Sequence, residues 1–460
     1  MRARTVHQSG FSPRAMAISC TVLATVLART FCSGSAATGT GVGLVSALQQ
    51  DHPISTRVAT SPSLPVRGQS EPGWRTAPTG LVTRVYPRLV NYHHMALPDG
   101  QVEHKEERLA QWDIVILNPD QVSQERLSLS TIRRTNPQVK ILAWIPFGQE
   151  PSGMAIAQGI PSEGTNDWFS RRPNGQYVRP SWGGHFMNPA AFNNAWPKYA
   201  AEFVGRNYLQ PDQYDGVLLD IMAEGNWMGA DFNRDGVRNE LDDALWQEGT
   251  ALVTTLLRTS VPQAILTGNG GSPWSEHCPY FADANGDMHE NALGDEFGVP
   301  GWDNVWRGYQ TCMTRATPRP AVHFISVDVR NGRSLQDAKK LPSLTQDDLR
   351  RMRLGLGTTL LDDGYFGFDR GDCLHGQLWW FDEYDADLGQ PLRRYQKDRY
   401  GSGTYSRDFQ NGIVVVNPSG GAVTVTVVEA LQDATTRQVA RAFVVPANDA
   451  KIFVRPCSKP

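Results

Sequence analysis

The chain has 460 residues, enough for one large domain with a small companion or for two to three ordinary ones. Its 44 Lys and Arg against 47 Asp and Glu leave a net charge of −3, so there is no basic surplus to attract nucleic acid or an anionic membrane, and neither is expected as a partner. The 13 tryptophans are many; core packing accounts for most of them, and the sharper reading is that some line a sugar site, where C–H faces stack on aromatic rings.

At the N-terminus, Arg2, Arg4 and Arg14 precede an apolar stretch from Ala15 to Ala28, and small residues follow at 33–36. Residues 1–36 therefore read as a signal peptide, too short in its apolar part to remain as a membrane span. The expectation is a secreted or cell-envelope (periplasmic) protein. Residues 37–84, rich in Ser, Thr, Pro and Gly, read as a flexible linker. Four cysteines lie beyond the signal, Cys278, Cys312, Cys373 and Cys457. An even number suits disulfides in an exported chain, with Cys278–Cys312 the local pairing, and no CxxC spacing argues for zinc.

From residue 88, short apolar runs recur between helix-like stretches, at 88–95, 112–119, 140–148, 216–222, 264–271, 286–291, 321–329 and 358–368. Nearly continuous runs of large and β-branched residues mark strands buried on both faces. Among the helical stretches, 240–259 places Leu241, Leu245, Leu252 and Leu256 on one stripe, and 189–209 carries Pro197 near its start. Eight strands alternating with helices predict a (β/α)8 TIM barrel over residues 85–400. A doubly wound sheet would show a Gly-rich turn after its first strand, where this chain has NYHHMALPDG. Residues 401–460 alternate short Val-rich runs with Gly, Pro and Asn, which predicts a small C-terminal antiparallel β-domain.

Chemistry on such a barrel sits at the C-terminal strand ends. The apolar runs put Tyr92, His93 and His94 after the first strand, Trp144 in the third and Asp220 at the end of the fourth. Asn269 follows the fifth, and His289, Glu290 and Asn291 the sixth; Asp328 follows the seventh, and Asp362 and Asp363 the eighth. Any one of these has a structural role open to it, such as capping the next helix. Acids gathered at one rim with few basic partners point instead to glycoside hydrolysis, which needs one carboxylic acid and one carboxylate. Asp220 and Glu290 are the catalytic candidates, their division of labour left open. Tyr92, His93, Trp144, Trp182, Asn269, Asp328 and Asp363 are the candidates for binding a poly- or oligosaccharide.

Just downstream, DFNRDGVRNELD places Asp231, Asn233, Asp235, Val237, Asn239 and Asp242 at positions 1, 3, 5, 7, 9 and 12 of a calcium loop, with Gly236 at the sharp turn. Asp at the last position and Arg238 at the eighth depart from an EF-hand, and the loop is similar to dockerin-type loops. One structural Ca2+ is expected.

YDGVLLDIM at 214–222 resembles the fourth-strand motif of endo-α-1,4-polygalactosaminidase-like barrels, and more closely that of the hypothetical glycosyl hydrolase family 15. NPAAFNNAW, LLDDGYFGFD, LWWFDEYDADLGQPL and SRDFQNGIVVVNPS carry the same resemblance, over roughly residues 88–455. It implies a barrel acting on polysaccharide, with Asp220 matching the fourth-strand acid and Glu290 an acid late in the barrel. A monomer is expected. Two other readings stay open: a non-catalytic carbohydrate-binding or envelope protein on the same barrel, and a metal-dependent hydrolase such as a polysaccharide deacetylase, in which His93 or His94 would meet Asp220 on a metal.

Overall fold

A computed structural model describes residues 74–94, 102–270, 279–293, 301–315, 317–328, 344–371 and 375–456. The expected signal peptide, most of the expected linker, and Cys278, Cys373 and Cys457 lie outside them, and with them the Cys278–Cys312 pairing.

Eight parallel strands run in sequential order: β1 (Val90–His93), β2 (Ile114–Leu117), β3 (Lys140–Pro146), β4 (Gly216–Asp220), β5 (Ile265–Gly268), β6 (Gly286–His289), β7 (Phe324–Asp328) and β8 (Tyr365–Asp369). A parallel bridge from Leu89 to Phe366 joins the first to the last, so the sheet closes into a barrel. Strand residues point alternately inward and outward. The inward set includes Val90, Tyr92, Ile114, Ile116, Leu142, Leu218, Met288 and Phe324, which fill the barrel. The outward set, among them Val115, Leu117, Val217 and Leu219, packs beneath the surrounding layer. Both faces are dry, which is why the strands read as continuous apolar runs. Each large aliphatic side chain so buried contributes roughly 1.5–3 kcal/mol before entropy is set against it.

The helices packed around the barrel include α1 (Ala191–Asn207), α2 (Glu240–Ser260), α3 (Trp302–Thr314) and α4 (Gln346–Leu360). In α2 the buried face is Trp246, Gly249, Val253 and Leu257, while Leu241 is exposed. The leucine stripe predicted from sequence is thus rotated off the core by one residue. Trp246 directs this rotation, for it stacks on Phe186 and Phe232 and donates to the Ala223 carbonyl.

The run TTLLDD at 358–363 belongs to the end of α4 and the turn after it, and β8 begins only at Tyr365. Asp362 and Asp363 therefore precede the strand and sit at the barrel's opposite, N-terminal mouth. There Asp363 accepts hydrogen bonds from Tyr86 Oη at 3.1 Å and from Arg407 at 2.8 Å. It ties the C-terminal domain to the barrel floor and is no part of the rim.

The C-terminal sheet is antiparallel, with strands β9 (Gln396–Lys397), β10 (Tyr405–Phe409), β11 (Gly412–Asn417), β12 (Val423–Asp433), β13 (Val439–Val445) and β14 (Asp449–Val454), in the order β9-β10-β11-β14-β12-β13. Val414, Val416, Ala450 and Ile452 share one core with α4 and the barrel's outer layer. The contact is close because Gly357 has no side chain: a Cβ there would meet Ala450 Cβ at 2.4 Å. Arg353 grips Asp449 with two hydrogen bonds, at 2.9 and 2.7 Å. The end of the expected linker is also fixed. Arg75–Thr76 pairs with Trp379–Trp380, and Ala77 is fully buried.

Candidate active site

Asp220 is the last residue of β4, and its side chain accepts four hydrogen bonds. Tyr92 Oη (3.2 Å) and Trp144 Nε1 (3.0 Å) donate to Oδ2. The Ile221 N–H (2.8 Å) and Asn269 Nδ2 (2.9 Å) donate to Oδ1. The backbone turns sharply here. Ile221 takes φ 59°, a left-handed conformation costly for a β-branched residue, and strain of this kind persists where the surroundings enforce it. Gly148 lies against the turn, where a Cβ would meet the Ile221 carbonyl oxygen at 2.4 Å.

Glu290 follows β6 by one residue. Met288 points into the barrel, so Glu290 continues on the inward side at the rim. Asn269, just past β5, donates from the same amide nitrogen to Glu290 Oε2 at 2.8 Å. One NH2 group thus serves both carboxylates, and their nearest oxygens lie within about 6 Å of each other, close enough for the two-carboxylate geometries of glycoside cleavage.

Behind Glu290 stands His375, whose Nε2 is 3.7 Å from Glu290 Oε1. Its Nδ1 donates to Asp369 Oδ2 at 2.8 Å, and Asp369 is the last residue of β8. Asp369 and His375 are missing from the sequence-predicted rim because the apolar run at 358–368 puts β8 several residues too early. The DRGDCLH segment, with an acid and a histidine six apart, carried the only signal.

His94 completes the wall. Its ring stacks on Trp144 (4.4 Å between centroids) and lies 4.3 Å from Tyr92 and 4.6 Å from His375. Burial, and then the neighbouring His375 and His93, hold its pKa well below the ordinary histidine value, so the ring is neutral. Burial likewise raises the pKa of Asp220, opposed by hydrogen bonds from Trp144, the Ile221 N–H, Asn269 and Tyr92. The Tyr92 hydroxyl is held protonated by burial and by the charges of Asp220 and Glu290.

The remaining candidates divide. Tyr92, Trp144 and Asn269 meet at Asp220. His93 does not, because it alternates with Tyr92 and points outward, where its Nδ1 donates to the Gly376 carbonyl at 2.7 Å. Asp328 is buried at the end of β7 beneath Gly371. Trp182 is 53% exposed on the β3–β4 connection, where it stacks against Trp227, 6.2 Å away, from the β4–α2 connection. A cavity of about 1350 Å³ opens at the barrel's other mouth, lined by Arg84, Arg88, Asp362 and Asp363, away from these carboxylates.

In the Asp231–Asp242 loop, Asp231 accepts from the N–H groups of Asp235 and Gly236, and Asp235 Oδ1 accepts from that of Val237. Gly236 takes φ 88°, as the sharp turn requires. Asn239 and Asp242 form the capping box of α2, and Asp242 also accepts from the Phe232 N–H.

An eight-stranded barrel with acids at the C-terminal ends of its strands defines the chain as a barrel of the enzyme type. Residues 133–413 match the hypothetical glycosyl hydrolase family 15, more than half of the sequence, and the chain belongs to that family. It is thereby assigned to the glycosidases. No curated protein matches it. Solved structures similar to it include an Anoxybacillus α-amylase, 10% identical, covering 81% of this chain and 99% of its own, with a TM-score of 0.44. The glycoside hydrolase domain of PelA from Pseudomonas aeruginosa is 16% identical, covering 63% and 96%, with a TM-score of 0.38. Eubacterium rectale Amy13B is 8% identical, covering 83% and 97%, with a TM-score of 0.49.

Proposed function

We propose that the chain cleaves glycosidic bonds of a poly- or oligosaccharide with retention of anomeric configuration, Asp220 acting as nucleophile and Glu290 as acid and then base. The observation that carries this reading is the shared donor: Asn269 holds both carboxylates against one point, which favours the shorter separation of a retaining pair over the wider one of an inverting pair. The roles follow from hydrogen bonding. Four donors converge on Asp220, and donors favour the ionised form of a carboxyl group, working against the burial that raises its pKa. Glu290 faces His375 Nε2, and the other ring nitrogen keeps the proton, donating its N–H to Asp369. That leaves a lone pair toward Glu290, which suits a protonated carboxyl.

In the first step, Glu290 gives its proton to the glycosidic oxygen. The anomeric carbon–oxygen bond breaks as an Asp220 oxygen bonds to the same carbon from the opposite face. In the second, ionised Glu290 takes a proton from water, whose oxygen displaces Asp220 and restores both groups. Trp144 and the exposed Trp182–Trp227 pair offer stacking faces for sugar rings.

Of the two histidines the deacetylase reading calls on, His93 faces away and His94 stacks on Trp144, while the four hydrogen bonds of Asp220 come from other donors, so that reading loses support. Calcium stays in the reading as a structural ion, held by Asp231, Asn233, Asp235 and the Val237 carbonyl. The backbone contacts of Asp231 leave each oxygen a further lone pair, so the donor set fits. Asn239 and Asp242, expected as further ligands, are engaged in capping. Export through residues 1–36 belongs to the same proposal, and N-terminal sequencing of the exported protein tests it.

The deciding experiment is a panel of polysaccharides with product analysis by NMR, run beside Asp220→Asn and Glu290→Gln. A first-formed product of inverted configuration would overturn the assignment. On a substrate with an activated leaving group, Glu290→Gln should keep its first step and Asp220→Asn should not.

A further inference from the structure

Behind the rim, between β6 and α3, lies a second group of chemically active side chains that the proposed hydrolysis does not use. Met288 points into the barrel, while Asp287 and His289 point outward, toward Cys312 on the inner face of α3. One ligand atom from each of Asp287, His289 and Cys312 lies within 4.8 Å of the other two, and all three residues are buried. We propose that these three residues form a binding site for a divalent transition-metal ion of the zinc type.

The first argument is satisfaction. His289 is fully buried, and neither of its ring nitrogens has a hydrogen-bond partner among the described residues. Asp287 is fully buried too, and its Oδ2 has none. Buried polar atoms are paired in nearly all folded proteins, and leaving one unpaired is costly. A cation accepts both lone pairs at once.

The second argument is the donor set. One oxygen, one nitrogen and one sulfur suit zinc, cobalt or a similar ion and disfavour calcium and magnesium, which want oxygen throughout. Tetrahedral zinc, bonded at about 2.0–2.3 Å, places its ligand atoms roughly 3.3–3.8 Å apart, so small side-chain rotations would close the group. A carboxylate and a thiolate also cancel the charge of a divalent cation, which suits a dry layer.

The third argument is preparation. Asp287 Oδ1 is held by Tyr280 Oη at 2.5 Å and by the Gly270 N–H at 3.1 Å, which fixes the carboxyl plane and leaves Oδ2 for the ion. Such outer hydrogen bonds orient metal-binding carboxylates. Because β6 ends at His289 and Glu290 is the next residue, an ion here would pin the segment that carries the proposed acid. The sequence gives no hint of this, since the three ligands come from a strand and a separate helix with no compact spacing.

The full chain, stripped with chelator, should take up one Co2+ displaceable by Zn2+ and show a thiolate-to-cobalt charge-transfer band in the near ultraviolet. Cys312→Ser should lose that band with its circular dichroism unchanged, and Asp231→Ala, in the calcium loop, should keep it. Cobalt bound without the band, no cobalt bound, or a band that survives Cys312→Ser each overturns the proposal. Should Cys312→Ser fail to fold, alkylation of the unaltered chain in mild urea decides. Zn2+ should slow labelling of Cys312, identified by peptide mapping, at least tenfold, and an unchanged rate overturns the site.

Discussion

Asn269 donates from a single amide nitrogen to Asp220 at 2.9 Å and to Glu290 at 2.8 Å. Two carboxyl groups this close cannot both ionise freely, and a donor shared between them steadies whichever is charged at each step. Asn269→Ala should therefore lower kcat/KM about 10²-fold, on the order of 3 kcal/mol, and chiefly through kcat. Asn269→Asp adds a third acid, so its activity should need higher pH, because the added negative charge raises the pKa at which Asp220 ionises. A steady-state pH profile checks both. Unaltered kinetics in Asn269→Ala would remove the shared donor from the mechanism.

His375 touches Glu290 only at 3.7 Å and is anchored by Asp369. It is a positioning residue in this reading, and its effect should travel through the acid step. His375→Ala should slow hydrolysis of an unactivated glycoside by one to two orders of magnitude, about 1–3 kcal/mol, and shift the alkaline limb of the pH profile. With an activated leaving group the loss should shrink. Equal losses on both substrates would point to general damage to the site.

How much of this is legible in the sequence depends on period. Strands buried on both faces leave continuous apolar runs, so seven of the eight can be placed from 88–95 onward. The eighth misleads because TTLL is as apolar as a strand yet closes α4, and that shift carries Asp363 to the wrong mouth and hides Asp369. His93 fails for a different reason. Which of two adjacent histidines faces inward is set by strand phase, and the phase turns on Tyr92 filling the barrel. Asp220 is readable because an acid that ends a buried apolar run is seldom there for packing. The relation through Asn269 is not, since it joins three strand ends that are distant in sequence.

Calcium should stabilise the loop that leads into α2. Mass action predicts a rise in melting temperature with added Ca2+ and a fall with chelator, about 2.7 kcal/mol of stabilisation at a hundredfold excess over Kd. Asp231→Ala and Asp235→Ala should abolish the shift. A melting curve indifferent to calcium, with no calcium by elemental analysis, would set the loop aside as a hydrogen-bonded turn.

Trp182 and Trp227 stack face to face while exposed at 53% and 43%. Exposed aromatic pairs contribute little to folding, so Trp182→Ala should leave the melting temperature nearly unchanged. If the pair holds sugar rings at a distance from the cleaved bond, KM for long substrates should rise several-fold with kcat nearly constant, and short ones should be unaffected. Intrinsic fluorescence on titration with oligosaccharide offers a second readout. Identical length dependence in the variant and the parent would count against the platform.

Acid should unfold the protein partly through His93. Burial, then the nearby Lys105 ammonium, push its pKa down to about 4, against the opposing Gly376 carbonyl and Glu125. In the unfolded chain the ring protonates near its ordinary 6.5. Between these values the unfolded state holds a proton that the folded state does not, so stability is fully present above about 6.5 and falls as the pH drops toward 4. The loss from this one ring is on the order of 3 kcal/mol at pH 4. His93→Gln keeps a donor for the Gly376 carbonyl and removes the titration. Urea unfolding at pH 7 and pH 4.5 should show a smaller drop for the variant than for the parent, and equal drops would assign the acid sensitivity to other groups.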